Sequence, residues 1–255
     1  MEDHLIAFID LLGFRSIITE QDHARQKQVL ALLTSLVAQR GDFTSESRSI
    51  GPNTHEHSIR PAISAFSDHI VFSFPAAGSA HTGSGPITFY LAAEIARIFN
   101  SAIEFGCLVR GGIAFGQLHH AGDVVFGPGL VEAYELESKF AGPPRIIVSA
   151  GAAQKLGSHP YLHLDEDGFL YLDYVRAAFD GPLGTHLETD ARRKWIVHIR
   201  GCCEKQITAL TKNNNLGGLQ KWRWFAARFE RFVANLHPSI SGEAAGLRSD
   251  AQASR

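Results

Sequence analysis

Two aspartates lie at positions where a carboxylate can do chemistry. Asp10 lies near the end of an apolar, β-prone run at 5–11, and Asp68 lies in the short turn between the apolar runs 60–66 and 69–74. A charged group among apolar neighbours is costly unless it is paired or bound to a metal. If the first strand lies beside the hairpin, both carboxylates meet at one sheet edge and suit Mg²⁺ or Mn²⁺. The alternative is an ordinary turn aspartate and a strand-ending aspartate.

Two further residues have types suited to phosphate. Gly13 follows Asp10 at a predicted strand-to-helix turn, where backbone N–H groups can face an anion. Arg110 lies inside the strand pattern LVRGGIAFG, and its planar guanidinium matches a phosphate group. A plain turn glycine and an arginine on an exposed strand face are the alternatives.

The elements that must position these residues follow from the hydrophobic pattern. Strands are predicted at 5–11, 60–66, 69–74, 107–118, 123–126, 145–149, 168–174 and 194–199. Helices are predicted at 22–39, 86–104, 128–138, 150–156, 203–213 and 217–235, with a loop at 41–59. The order β-α-β-β-α-β before residue 118 predicts an α+β fold with a ferredoxin-like core.

Composition and charge limit the class of protein. Of the 255 residues, 45% are hydrophobic and 20% are charged, which is enough to bury a core. We expect a catalytic domain at 1–200, a C-terminal helical extension at 201–237 and a disordered tail at 238–255. The formal net charge of −2 argues against a nucleic-acid partner, because phosphate-backbone binders carry a basic excess.

The compartment is predicted from what the sequence lacks. No apolar run approaches the ~18 residues of a membrane span, and the acidic N-terminus does not resemble a signal peptide. Three cysteines, two of them adjacent (Cys202 and Cys203), do not make a disulfide framework. We therefore expect a cytoplasmic protein without direct membrane insertion.

A family resemblance rests on five motifs that occur in order across residues 4–155. They are FIDLLGF, AFSDHIVF, LVRGGIAFGQL, VVFGPGLVEAYELES and PPRIIVS. Together they resemble the catalytic domain of the class III nucleotidyl cyclases. The resemblance implies that Asp10, Asp68 and the backbone carbonyl of Leu11 hold two metal ions. It also implies an in-line attack of the ribose O3′ on the α-phosphorus, with pyrophosphate leaving.

The same resemblance assigns the phosphate contacts. Leu12, Gly13 and Phe14 match the turn that holds the triphosphate through backbone N–H groups. Arg110 matches a family arginine that contacts the terminal phosphates. Catalysis would then be mostly positioning and charge stabilisation.

The base pocket departs from the purine pattern. Ser64 replaces the usual base-reading lysine, and Phe66 replaces a usually aliphatic residue that touches the base. Val124 falls at the position of an acidic base reader, with Asp123 adjacent. An aromatic ring at Phe66 would fill space that a purine needs and favour stacking of a smaller base.

The helix after the third motif also departs from the family. The asparagine and arginine that usually support the ribose and the transition state fall on Val131 and Glu135. Either the helix is shifted, or Arg97, Arg145 or Arg15 takes over, or the site is inactive.

Altered base readers and a helical C-terminal extension are similar to the pyrimidine cyclases of the Pycsar anti-phage systems. This resemblance implies UTP or CTP as substrate, Mn²⁺ (or Mg²⁺) as metal, and a product that activates a separate effector. It implies a homodimer with composite sites, in which Ser64 and Phe66 face the aspartates of the other subunit. We favour UTP and cyclic UMP; a cytidylate cyclase, a degenerate nucleotide-sensing module and a purine cyclase are the alternatives.

Three remaining features have ordinary interpretations. We expect His119 and His120 to be surface or loop histidines, and likewise the cluster at 55–57. The glutamates of the third predicted helix are expected on a solvated face: Glu132, Glu135 and Glu137. The aromatic run at 222–232 is predicted to pack on the core or on a dimer partner.

Overall fold

A computed structural model describes residues 1–19, 22–38, 43–45, 57–59, 61–76, 84–122, 124–181 and 189–236. Its strands are β1 (Glu2–Leu12), β2 (Phe43–Ser45), β3 (His57–Ile59), β4 (Ala62–Phe66), β5 (His69–Pro75), β6 (Leu108–Ala121), β7 (Val124–Phe126), β8 (Ile146–Val148), β9 (Leu162–Leu164) and β10 (Leu170–Leu172). Its helices are α1 (Phe14–Thr19), α2 (His23–Ala38), α3 (Ser84–Glu104), α4 (Pro128–Glu135), α5 (Ala150–Leu156), α6 (Tyr174–Asp180), α7 (Thr189–Lys212) and α8 (Leu216–Ala234). A π-helical turn, Leu136–Ala141, continues α4.

The main sheet has eight strands in the order β4-β5-β1-β6-β8-β10-β9, with β7 paired to the far end of β6. The pairs β4–β5, β5–β1 and β1–β6 are antiparallel, whereas β6–β8 is parallel. The fold is therefore mixed, with helices and a largely antiparallel sheet. Strand β1 lies between β5 and β6, so its last residues are flanked by both neighbours.

The two faces of β1 are both buried, which explains its nearly continuous apolar sequence. Leu5, Ala7 and Ile9 join the main core with α3 and the C-terminal helices. Ile6 and Phe8 join a smaller cluster on the opposite face, which α4 covers with Ala133. Since side chains alternate along a strand, Asp10 shares the face of Ile6 and Phe8.

One predicted strand is wrong. Residues 194–199 lie within helix α7, not in a strand. The run KWIVHIR is short and rich in β-branched residues, but Ile196, Ile199 and Cys203 are buried at helical spacing. Packing of this stripe on the core outweighs local β-propensity.

The helix predicted at 203–213 is the second half of α7, which begins at Thr189, and the other predicted elements agree with the structure to within a few residues. In the predicted loop at 41–59, the structure describes only the short pair β2–β3. Residues 46–56 and the predicted tail at 238–255 lie outside the described residues. Helix α7 runs without interruption through residue 200, the predicted end of the catalytic domain.

The aromatic run of α8 packs on the core, as predicted. Trp222, Phe225 and Phe229 are buried in the main core. The rings of Phe99 on α3 and Phe225 lie 5.5 Å apart between centroids. Within the described residues, no helix is both long enough and apolar enough to cross a membrane.

Candidate active site

The two predicted metal aspartates lie side by side at the end of β1. Asp10 is paired in register with His69 of β5 on one side and with Arg110 of β6 on the other. The backbone N–H of Leu11 donates to the carbonyl of Asp68 over 3.0 Å, which ties the hairpin turn to β1. One donor atom each from Asp10, Asp68 and His69 lie within 4.8 Å of one another.

The hairpin turn places Asp68 where β1 ends. Ser67 has a φ of 57°, a left-handed conformation that non-glycine residues adopt mainly in tight turns. The Nδ1 of His69 lies 3.3 Å from an Asp68 carboxylate oxygen. The turn thus holds a carboxylate and an imidazole next to Asp10.

Arg110 joins Asp10 to an acidic residue that the sequence analysis did not select. Its Nη2 donates to Asp10 Oδ2 over 3.0 Å and forms an ion pair with Glu137. Only 3% of Glu137 is exposed, so its placement on a solvated face is wrong. Glu137 lies four residues after Ala133 and eight after Gly129, which are both buried, so it continues the buried face of α4 into the π-helical turn. The prediction is wrong because it groups Glu137 with Glu132 and Glu135 by charge, although the helical spacing puts Glu137 on the opposite, buried side.

The site carries an excess of buried negative charge. Burial raises the pKa of the Asp10 carboxyl, while the charges of Arg110 and His69 oppose the increase. Burial likewise raises the pKa of Glu137, and Arg110 again opposes it. One guanidinium thus serves two buried carboxylates, with Asp68 nearby.

These residues fit a divalent cation. Asp10 is only 7% exposed, and the convergence of two carboxylates supplies the oxygen donors that Mg²⁺ and Mn²⁺ take. A bound cation would offset the cost of burying ionised Asp10. A second group of donors among the described residues, Glu104, His198 and Cys202, includes a sulfur and lies nearer to solvent.

The turn predicted to bind phosphate comes directly after Asp10 and Leu11 in the chain. Gly13 has a φ of +105°, and a Cβ there would lie 3.0 Å from the carbonyl oxygen of Gly106. Glycine is therefore required at this turn by both conformation and space. The side chain of Leu12 is buried, and Phe14 packs partly buried against the main core.

The two predicted base-reading residues lie on the same sheet face as Asp10. The Ser64 hydroxyl is hydrogen-bonded to Nε2 of His120 over 2.9 Å, and Nδ1 of His120 is bonded to Ser73 over 2.8 Å. His120 is thus a bridge between β4 and β5, not an ordinary surface histidine. Phe66 is 53% exposed, and its ring stacks on His69 with centroids 5.4 Å apart.

Three other positions that differ from the resembled motifs lie at the surface. Val131 is exposed on α4, and Glu135 is paired with Lys139 over 2.6 Å at the surface. Val124 is exposed on β7; Asp123 lies outside the described residues.

Two of the three arginines that could replace the family's transition-state arginine form ion pairs with other acidic residues. Arg145 is buried and held by Asp165 over 2.8 Å, and Arg97 is paired with Glu94 over 2.8 Å. The third, Arg15, lines a pocket beside Gly13.

Comparison with known proteins finds similarity to solved structures. No protein-family model matches the chain, and no curated protein matches it. An adenylate/guanylate cyclase/hydrolase from Silicibacter pomeroyi is 19% identical in sequence, and the match covers 68% of this chain and 96% of that one. The TM-score is 0.37, too low to assign a substrate or a mechanism.

Proposed function

We propose that this chain is a nucleotidyl cyclase that converts UTP to 3′,5′-cyclic UMP and pyrophosphate, with two Mn²⁺ (or Mg²⁺) ions per site. The observation that carries the proposal is the convergence of Asp10 and Asp68 beside Arg110, next to the glycine turn at Gly13. The strand order β4-β5-β1-β6, all antiparallel, supports the finer description of the core as ferredoxin-like.

Asp10 and Asp68 would hold the metal ions, together with the carbonyl of Leu11. When bound, such ions lower the pKa of a hydroxyl and neutralise phosphate charge. The protein's own contribution is to fix the two carboxylates. Asp10 is held by strand pairing on both sides, and the Asp68 turn is held by the hydrogen bond to Leu11.

The reaction transfers the α-phosphoryl group within one molecule. The ribose O3′ forms a bond to the α-phosphorus, the bond to the bridging oxygen of the β-phosphate breaks, and the hydroxyl proton passes to solvent. Arg110 would stabilise the negative charge on the phosphates, for which its guanidinium must exchange a carboxylate for a phosphate oxygen. The backbone N–H groups around Gly13 would orient the triphosphate.

The pyrimidine preference is supported by the surroundings of Phe66. Its ring and that of His69 form an exposed stacked pair, on which a small base can stack further. The Ser64 hydroxyl, already bonded to His120, offers a polar group two residues away on the same strand face. The alternative within this proposal is a cytidylate cyclase, which would convert CTP to cyclic CMP.

A homodimer with composite sites is part of the proposal. Phe66, Val131 and Tyr134 are large, exposed apolar side chains on β4 and α4, the elements around the Asp10 face. Exposed apolar patches mark association sites. In such a dimer, Ser64 and Phe66 of one subunit would face Asp10 and Asp68 of the other.

The biological role is proposed from the resemblance of the sequence alone. We propose that the cyclic pyrimidine nucleotide is a cytoplasmic second messenger in anti-phage defence and acts on a separate effector. The motif resemblance supports this role.

The decisive experiment is a four-way incubation. Purified protein with Mn²⁺ would receive ATP, GTP, CTP and UTP separately, with products identified by chromatography and mass. We expect cyclic UMP from UTP. Preference for ATP or GTP in direct competition with UTP would defeat the pyrimidine assignment.

Two variants test the site itself. Asp10→Asn and Asp68→Asn should abolish product formation and leave the circular dichroism spectrum unchanged, because each removes a metal-binding charge without removing volume. Glu132→Gln, an exposed change on α4, is the matched control and should retain activity. Normal turnover by either aspartate variant would contradict the metal assignment.

A nucleotide-sensing module without turnover is the second candidate. The exposed Val131 and the surface pair Glu135–Lys139 favour it, since neither supplies the family's transition-state groups to the site. Tight nucleotide binding without product under any divalent metal would support this candidate over the cyclase.

A further inference from the structure

The turn at Gly13 opens into a pocket of about 460 Å³ between the first strand and the C-terminal helices. Its walls come from the β1–α1 turn on one side and from α7, α8 and their connection on the other. The residues that matter for its charge are Arg15, Arg25 and Lys221. Among the described residues that line it, there are three cationic side chains and no acidic one.

Lys221 comes from α8, far in sequence from the β1–α1 turn, and only tertiary packing brings it to this pocket. It lies one residue before Trp222, whose indole is buried in the main core. The neighbouring Trp222 therefore anchors the first turns of α8 and fixes Lys221 at the pocket wall. Within the part of the chain that the structure describes, no carboxylate forms an ion pair with the Lys221 ammonium.

Lys221 is also electrostatically linked to the candidate metal site. The charges of Asp10 and Glu137 act to raise its pKa and that of Arg110 acts to lower it. The pocket wall includes residues 12–13, which follow Asp10 closely in the chain. Burial is the largest cause that lowers the Lys221 pKa, followed by repulsion from Arg110. A half-buried ammonium beside another cation is stabilised by an anionic ligand.

The chemistry of the pocket selects a polyanion. Arg25 forms an ion pair with Asp22 at 2.9 Å, which partly neutralises its charge. Arg15 and Lys221 are then the other two cations among the described residues that line the pocket. Two such cations, together with backbone N–H groups at the Gly13 turn, suit a chain of linked phosphates better than a single carboxylate. The pocket includes Leu12 and Gly13, the turn at which the proposed function places the triphosphate.

We propose that Lys221, from the C-terminal helical pair, binds the β- and γ-phosphates of the nucleotide in this pocket. The inference rests on the proposed function for the identity of its ligand, a nucleoside triphosphate. The C-terminal helices then complete the active site of their own chain, so the extension is part of the catalytic unit. Pyrophosphate, as product, would occupy the same pocket.

The test measures binding of inorganic tripolyphosphate by titration calorimetry, with no metal and no nucleoside. Wild-type protein should bind, and Lys221→Gln should bind about tenfold or more weakly, because a charge-assisted hydrogen bond is lost. Lys221→Arg should retain most of the affinity. Lys205→Gln, an exposed lysine on α7 outside the pocket, is the matched control and should bind within about twofold of wild type.

The outcomes separate this inference from the proposed function. Absence of tripolyphosphate binding by wild type, or equal binding by Lys221→Gln, overturns the inference whether or not the protein makes a cyclic nucleotide. Reduced binding by Lys221→Gln supports it even if no triphosphate is turned over, in which case only the cyclase assignment fails. If Lys221→Gln does not fold, Lys221→Met, which keeps the apolar length of the side chain and removes its charge, serves instead, with the same expected loss and the same contradicting result.

Discussion

Arg110 lies between two buried carboxylates and is the main compensation for their desolvation. It donates to Asp10 over 3.0 Å and pairs with Glu137, while both acids have raised pKa values because of burial. A buried ion pair adds little net stability, but removal of one partner leaves a charge uncompensated. Arg110, Asp10 and Glu137 thus form a charged triad. Its effect on the free energy of unfolding becomes large only when one member is removed.

We predict that Arg110→Met lowers the free energy of unfolding by about 3 kcal/mol, because two buried carboxylates lose their counter-charge. The double variant Arg110→Met, Glu137→Gln should recover part of this loss. Urea unfolding of the four proteins of the double-mutant cycle measures the coupling. Additive effects of the two changes would contradict the triad.

His4 gives the prediction on pH. It is buried on β1, and burial lowers the pKa of its imidazole. As the pH falls, His4 is therefore protonated at a higher pH in the unfolded chain than in the folded chain. The contribution to stability is complete above the ordinary pKa of about 6.5 and is lost as pH falls below it.

The stability of His4→Gln should accordingly fall less than that of wild type between pH 7.5 and pH 5.5. Thermal unfolding at several pH values checks this, and His119→Gln, an exposed histidine on β6, is the control. An equal fall in His4→Gln and wild type would show that His4 does not titrate differently on folding.

At the scale of elements, the contact of α4 and the π-helical turn with β6 decides where Glu137 points. Gly112 of β6 permits this contact, since a Cβ there would lie 2.3 Å from the carbonyl oxygen of Ala133 and 2.6 Å from the Cβ of Leu136. Backbone atoms cannot yield as a flexible side chain can. Gly112, together with Gly116 beneath Gly129, is therefore a packing residue under α4 and the π-helical turn. Gly111 instead faces Phe8 and Ile9 of β1.

Gly112→Ala should destabilise the protein by about 1–3 kcal/mol through overpacking. Gly201→Ala, inside α7 with open space around the position, should instead stabilise it by about 0.5–1 kcal/mol. Chemical denaturation of both variants against wild type measures the difference. The same sign of effect at both glycines would contradict the packing described for β6.

For the whole molecule, the question is whether the C-terminal helices form a separate unit. Helix α7 passes the predicted boundary at residue 200 without a break, and Trp222, Phe225 and Phe229 of α8 belong to the main core. Aromatic side chains dominate core energetics because of their large buried area. One core with shared contacts should unfold as one cooperative unit.

We therefore predict a single unfolding transition, with coincident midpoints by circular dichroism and by tryptophan fluorescence. Trp222→Ala should lower the midpoint of this one transition, with a loss of about 3–5 kcal/mol, whereas Arg223→Ala, exposed on the same helix, should leave it nearly unchanged. Two separable transitions would instead show independent units at 1–200 and 201–237.

The sequence by itself determined most of the strands and helices around β1, because these depend on local patterns: an apolar strand, a tight hairpin and amphipathic helices. It placed Asp10 and Asp68 at the ends of their elements, but their meeting followed only on the condition that β1 lies beside the hairpin, which the tertiary structure supplies. The same local patterns mispredicted residues 194–199, where burial of a helical stripe outweighs β-propensity.

Only the tertiary structure decided the rest of the site. The ion pair of Glu137 with Arg110 depends on the packing of α4 and the π-helical turn against β6, and the bridge from His120 to Ser64 depends on the path of β6 across the sheet face. Lys221 reaches the Gly13 pocket because Trp222, next to it, is buried in a core built from distant parts of the chain. Contacts between residues remote in sequence leave no local pattern, so these placements could be seen only in the folded chain.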